Sequence, residues 1–177
     1  MEVLIRPLQK SDNRKGFSCG QPELDYFFHR YAGQNQFRHH IGVTYIAIAE
    51  DEEAILGYAT VATGSIETDD IPEASKLPIN YPLPILRLGR LAVSMTAQGQ
   101  GIGRQLLLYV LELALEQKGL VGCVGVFVDA KQDAIPFYEK YGFQIVDEIV
   151  EGEMKGFPVI TPMYLSIKSI LKALKAT

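Results

Sequence analysis

Gln98-Gly99-Gln100-Gly101-Ile102-Gly103 lies between Ile85-Leu86-Arg87-Leu88-Gly89-Arg90-Leu91-Ala92-Val93 and Leu106-Leu107-Leu108-Tyr109-Val110-Leu111-Glu112-Leu113. The first flank reads as a buried strand, the second as an apolar helix. A strand, a glycine-rich turn and a helix start make a phosphate cradle. Glycines let the backbone approach a ligand, and unpaired amides at the helix N-terminus point at the anion. Spacing narrows the choice. Arg104 stands where a dinucleotide-binding G-x-G-x-x-G would have its third glycine, and no Gly-Lys-Ser/Thr follows to make a P-loop. What remains is Q-x-x-G-x-G. The amides of Gly99, Gln100, Gly101, Ile102, Gly103 and Arg104 can hold a pyrophosphate, with the Arg104 side chain adding a cation. A bare strand-to-helix turn would account for the glycines alone. The preceding Leu88-Gly89-Arg90-Leu91-Ala92-Val93 and the apolar helix favour the cradle.

The rest of the chain sets bounds. Its 177 residues are expected to form a single domain over 1–177, with a core that needs no staples. The 47% hydrophobic content is that of a globular protein. No apolar run is long enough to span a bilayer and the N-terminus lacks a signal-peptide core, so no membrane partner is expected. Cys19 and Cys123 match no zinc spacing, which leaves no metal site and points to a reducing cytoplasm. The net charge of −4 argues against a nucleic-acid binder, but the charge is uneven. Glu50 to Glu73 holds acids and no Lys or Arg, whereas Arg14–Lys15, Arg38 with His39 and His40, and Arg87 with Arg90 form basic clusters. A solvated mixed surface explains any one cluster; a phosphate contact is the sharper alternative.

The elements alternate irregularly. Strands are expected at Glu2–Leu8, Val43–Ala49, Ile55–Ile66, through the run ending at Val93, at Val121–Val128, and as an antiparallel pair Phe143–Val150 and Pro158–Ile167 joined around Gly152 and Gly156. Pro22 opens a helix on which Leu24, Phe27, Phe28 and Tyr31 recur at helical spacing. Thr68–Pro84 is a proline-rich loop or short helix. The helix after the cradle runs to Lys118 and stops at Gly119, and a short helix covers Asp133–Tyr141 up to Gly142. Near the C-terminus Leu165, Ile167, Ile170 and Leu171 leave apolar groups for a second copy or a partner. This order makes a mixed α/β sheet with a few helices, not a strictly alternating dinucleotide fold.

Ala134-Ile135-Pro136-Phe137-Tyr138 places Ala134 and Tyr138 one helical turn apart. Two roles fit Tyr138. One is a core aromatic. The other is an acid: a phenol with an ordinary pKa of about 10 stays protonated at neutral pH and can donate to a departing thiolate.

Together these residues resemble the GNAT superfamily of acyl-CoA N-acyltransferases. Gln98, Gly101 and Gly103 match its pyrophosphate signature, and Ala134-x-x-x-Tyr138 its second motif. The resemblance implies an α/β (α+β) fold: a mixed, mostly antiparallel sheet, splayed in a V between two parallel strands, with helices on both faces. It implies acetyl-CoA as co-substrate, pantetheine along Leu91, Ala92 and Val93, and Tyr138 as the catalytic acid. Lys131 stands where many members carry asparagine. Phe17-Ser18-Cys19-Gly20, Leu24-Asp25-Tyr26-Phe27, Gly64-Ser65, Tyr81-Pro82-Leu83-Pro84 and Val128-Asp129-Ala130-Lys131 resemble the toxin branch, where that lysine is expected. That branch implies the α-amino group of aminoacyl-tRNA as acceptor and a ribbon–helix–helix antitoxin as partner; a homodimer is open.

An α-amine of pKa about 7.7 is partly neutral at cytoplasmic pH, so no dedicated strong base is needed, unlike a lysine near 10.4. Arg38, His39, Arg87 and Arg90 are the candidate phosphate contacts; for Arg87 and Arg90 pairing with carboxylates is an equal alternative. A housekeeping acetyltransferase of small or protein amines, and a non-catalytic acyl-CoA-binding regulator, are the competing readings.

Overall fold

The computed structural model describes residues 2–51, 53–67, 71–76, 81–146 and 160–175, with backbone alone for Pro72, Ser75 and Ala173. The strands are β1 (Val3–Pro7), β2 (Val43–Ala49), β3 (Ile55–Ile66), β4 (Leu83–Val93), β5 (Gly125–Lys131), β6 (Gln144–Ile145) and β7 (Ile160–Ser166). The helices are α1 (Pro22–Arg30), α2 (Ile102–Leu120), α3 (Ile135–Lys140) and α4 (Ile167–Lys175). The sheet has the order β1-β2-β3-β4-β5-β7-β6, and the pairs β1–β2, β2–β3, β5–β7 and β6–β7 are antiparallel. The fold is mixed α/β with a largely antiparallel sheet, as expected. The chain divides into two compact units, 1–62 with 88–112, and 63–87 with 113–177.

In the first unit, α1 forms because Pro22 fits the first helical turn and Glu23 and Asp25 favour its positive end. It buries Leu24, Phe27 and Phe28. Phe28 stacks on Tyr58 of β3 with ring centroids 4.4 Å apart and planes 5° from parallel. The Tyr58 hydroxyl donates to the Leu24 carbonyl at 2.7 Å, so one side chain satisfies its polar tip and pins the helix to the strand. Phe17 meets both rings edge-on, at 5.0 and 5.5 Å. α2 buries Ile102, Leu106, Leu107, Val110, Leu111 and Ala114, a stripe of period 3.6.

Gly57 controls the depth at which these elements meet. A Cβ there would stand 2.8 Å from the Ala92 carbonyl oxygen and 3.0–3.1 Å from Leu106 and Ile102 side-chain carbons. Glycine therefore lets β3, the end of β4 and the start of α2 converge. Beside it the Ser94 amide donates to the Leu56 carbonyl at 2.8 Å.

In the second unit, Ile66, Ile71, Leu83, Ile85, Phe127, Val146 and Tyr164 form the core. The β5 run Gly125–Ala130 is almost wholly buried. Gly125 admits the close approach of Leu165 and the Tyr164 ring. The Tyr164 hydroxyl donates to the Val124 carbonyl at 2.9 Å.

The main departures from expectation lie at the end of α2, the start of β5 and the C-terminus; β4 also starts earlier, at Leu83, and β1 and α3 are shorter at both ends. α2 continues through Gly119 to Leu120. The amides of Val121 and Gly122 both bond the Gln117 carbonyl, and the left-handed residue is Gly122, φ 95°. Glycines at 119, 122 and 125 offered three stops that periodicity cannot rank. β5 accordingly begins at Gly125, not at Val121. The C-terminal stretch forms α4, which follows β7 without a loop; Leu165 of β7 and Ile170 of α4 are buried, Ile167 is half-buried and Leu171 stays exposed. The joining segment around Gly152 and Gly156, and the strand residues assigned to 147–150 and 158–159, lie outside the described residues.

Gly57→Ala is expected to lower stability by about 1–3 kcal/mol through overpacking against a backbone carbonyl. Urea denaturation read by circular dichroism checks this, with Gly119→Ala, which meets open space, as the control that should not destabilise.

Candidate active site

The cradle is built on the first unit. β4 ends at Val93, a turn runs over 95–101, and α2 starts at Ile102. Gly99 and Gly101 have φ of 80° and 81°, and a Cβ on either would meet nothing within 4 Å. The demand there is backbone conformation, since only glycine enters that region cheaply. Gly99, Gln100 and Gly101 are exposed, as is Arg104, while Ile102 is buried as the anchor of the helix. The Gln105 amide makes the first helical bond, to the Gly101 carbonyl at 3.1 Å. The first turn of α2 holds no acid, in contrast to α1. The positive end of the helix is left for an external anion, with Arg104 adding charge. Open space above two left-handed glycines, an exposed turn and an uncompensated helix N-terminus fit a pyrophosphate. Ala92 is buried and Leu91 and Val93 are half-buried at the end of β4.

Gln98 plays a part that its position in the motif does not announce. Its Nε2 donates to the Cys19 carbonyl at 3.1 Å and the Val93 carbonyl at 3.2 Å. One amide group thus ties the turn to the end of β4 and to the Phe17-Ser18-Cys19-Gly20 loop. The same loop accepts the Met95 amide at the Ser18 carbonyl, 2.9 Å. Asp25 of α1 holds the loop from the other side, accepting from the Cys19 amide at 2.8 Å and the Ser18 hydroxyl at 3.3 Å. Burial raises the Cys19 thiol to about 11, so it is no nucleophile at neutral pH.

The second unit carries Tyr138. α3 begins after a short 3₁₀ turn, Gln132–Ala134, and ends where Gly142 turns left-handed at φ 94°. Tyr138 is buried, with Phe137 and Phe143 edge-on at 5.1 and 5.4 Å. Among the described residues three tyrosines are buried, Tyr58, Tyr138 and Tyr164. Tyr58 and Tyr164 donate to backbone carbonyls. Among the described residues the Tyr138 hydroxyl has no hydrogen-bond partner. Burial drives its pKa well above the ordinary phenol value, so the proton stays on oxygen throughout the physiological range. A protonated hydroxyl without a protein acceptor suits a group that must donate to something the protein does not contain.

The three arginines have different surroundings. Arg87 pairs with Asp129 at 2.9 Å and lies over the Phe127 ring at 4.6 Å. Arg90 is exposed, yet its guanidinium sits 3.7 Å above the Phe27 ring centroid, and the surrounding protein mass lowers its pKa by desolvation. Among the described residues it has no carboxylate partner. Arg38 is exposed on a π-helical turn, Gln34–His39, and His39 and His40 are exposed beside it. No group of acids, histidines and cysteines among the described residues is arranged to hold a metal. No helix among them is long and apolar enough to cross a membrane.

Comparison with known proteins identifies the chemistry. Residues 42–145 match the acetyltransferase (GNAT) domain family. The chain belongs to the GNAT acetyltransferases. It is 28% identical over 141 residues to a tRNA-acetylating toxin of Mycobacterium tuberculosis, covering 79% of this chain and 83% of that one. Among solved structures it is similar to AtaT complexed with acetyl-methionyl-tRNAfMet, at 27% identity and a TM-score of 0.81, covering 99% of this chain and all of that chain. It is also similar to AtaTR bound with acetyl-CoA, at 28% identity and a TM-score of 0.78, covering 99% and 98%. The protein is thus an acetyl-CoA-dependent GNAT acetyltransferase, and bound acetyl-CoA supplies the acyl group as a thioester.

Gln98→Ala is expected to raise KM for acetyl-CoA severalfold with kcat little changed, because it frees the turn without touching the acid. Gln98→Glu, which cannot donate to either carbonyl, should behave alike; steady-state kinetics at varied acetyl-CoA checks both.

Proposed function

We propose that this acetyltransferase modifies the α-amino group of aminoacyl-tRNA and so acts as a translation-blocking toxin. The observation that carries the reading is Arg90. Its cation is braced on Phe27 rather than neutralised by an acid, so its donors can take a phosphate. It immediately precedes Leu91-Ala92-Val93, along which the family resemblance lays the pantetheine. A phosphate held there brings the end of a charged nucleotide chain beside the thioester. Arg87 is engaged with Asp129 and serves better to brace β4 against β5. Arg38 offers a peripheral contact. The named similarities to a tRNA-acetylating toxin and to AtaT with its acetylated tRNA agree with this acceptor.

The proposed chemistry asks little of the protein beyond placement. The cradle amides from Gly99 to Arg104 hold the pyrophosphate, and the end of β4 orients the thioester. The acceptor α-amine, with a pKa of about 7.7, arrives partly neutral. β4 carries no carboxylate to serve as base. Tyr138 gives its proton to the departing thiolate sulfur as the C–S bond breaks. An antitoxin of the ribbon–helix–helix type is the expected partner, and the cytoplasm the expected location.

Tyr138→Phe is expected to lower kcat by roughly 10²-fold or more, the contribution of a general acid, with KM for acetyl-CoA nearly unchanged. Because the proton is lost only above the ordinary phenol range, wild-type kcat should show no Tyr138 limb at or below about pH 10. A pH–rate profile checks this.

The acceptor is tested by radiolabelled acetyl transfer to bulk aminoacyl-tRNA. Arg90→Ala should raise KM for charged tRNA about tenfold or more, the worth of hydrogen bonds to a charged group, and leave KM for acetyl-CoA unchanged. Transfer to polyamines or aminoglycosides with none to charged tRNA would overturn the reading.

A further inference from the structure

We propose that a lysine ridge on α4 binds the phosphate backbone of the acceptor's duplex stem. The inference rests on the aminoacyl-tRNA reading above. α4 is capped by Ser166, whose hydroxyl accepts the Ser169 amide at 3.2 Å, and it buries Ile170 completely. Lys168, Lys172 and Lys175 follow at i, i+4 and i+7, so they share one helical face. All three are exposed. Among the described residues none has an ion pair. In a chain of net charge −4, three uncompensated cations on nine residues are a local reversal of sign.

Two lysines near a helix C-terminus are explained by the dipole, which favours cations there. Lys168 is not. It lies in the first turn, where a cation is disfavoured, and it extends the ridge to a full two turns. Lysine is depleted from the cores of protein interfaces, whereas it neutralises phosphates along a nucleic-acid backbone. The occupant is therefore a polyanion rather than an apolar helix.

The placement of the ridge suits a duplex held away from the reacting end. α4 starts where β5 starts: the Ile167 amide donates to the Val124 carbonyl at 3.0 Å, and Ser166 lies opposite Gly125. α3, with Tyr138, follows from the opposite end of β5 at Lys131. At about 3.3 Å per residue the strand separates them by roughly 20 Å. In a charged tRNA the acylated terminus is single-stranded, and the first paired phosphates lie several nucleotides away.

The test replaces Lys168→Gln, Lys172→Gln and Lys175→Gln together, which keeps helix propensity. Bulk aminoacyl-tRNA is the probe, against a single-stranded aminoacyl oligonucleotide lacking the stem. We expect KM for aminoacyl-tRNA to rise while KM for acetyl-CoA and activity on the oligonucleotide stay at wild-type values. The slope of log affinity against log salt should fall by about 0.7–0.9 per lysine. The matching Lys→Arg set should keep the wild-type slope, which separates charge from folding. An unchanged KM and salt slope in the glutamine variant, or an equal loss on the oligonucleotide, would overturn the ridge while leaving the acceptor intact. A wild-type enzyme inactive on charged tRNA would overturn the acceptor itself.

Discussion

The cradle exists because Gly57 has no side chain. Its missing Cβ leaves room for the Ala92 carbonyl and for Ile102 and Leu106, the first inward residues of α2. β4 must end, turn and re-enter as a helix within that distance, and the left-handed Gly99 and Gly101 make the turn sharp enough. A close approach in the interior thus sets where the helix begins, and with it where unpaired amides face outward. The candidate anion site follows from packing a few ångströms beneath it.

The polar braces show how such a turn is kept in place. Gln98, Met95 and Asp25 converge on the Ser18–Cys19 backbone, so a loop remote in sequence becomes the wall of the cradle. The Tyr58–Phe28 stack and the Tyr58 hydroxyl hold α1, and α1 holds Asp25. Aromatic packing, a helix and a carboxylate form one chain of support ending at the turn. Arg90 draws on the same helix by resting on Phe27.

The strands β2 and β3 were legible to the residue because breakers bound their apolar runs, and the strand–turn–helix at 93–102 because its glycines sit between two apolar runs. The unexpected features depend on contacts that sequence does not display. α4 escaped notice because no Gly or Pro separates it from β7; the Ser166 cap and the 168-172-175 lysine spacing were its signals. The motif pointed to Gln98 as a ligand contact, but which carbonyls its amide would find depends on a loop 79 positions earlier. Arg87 and Arg90 look alike in sequence. Only the fold places Asp129 beside one and Phe27 beneath the other.

Tyr138 has a consequence for the resting protein. Its ring is buried, yet its oxygen is not among the sealed polar atoms left without a partner, so the hydroxyl keeps an opening at the surface of the fold. Tyr58 and Tyr164 close theirs on backbone carbonyls. Water can therefore solvate the Tyr138 hydroxyl while no ligand is bound, and a ligand that takes its place must offer an acceptor of its own to avoid leaving the hydroxyl unpaired.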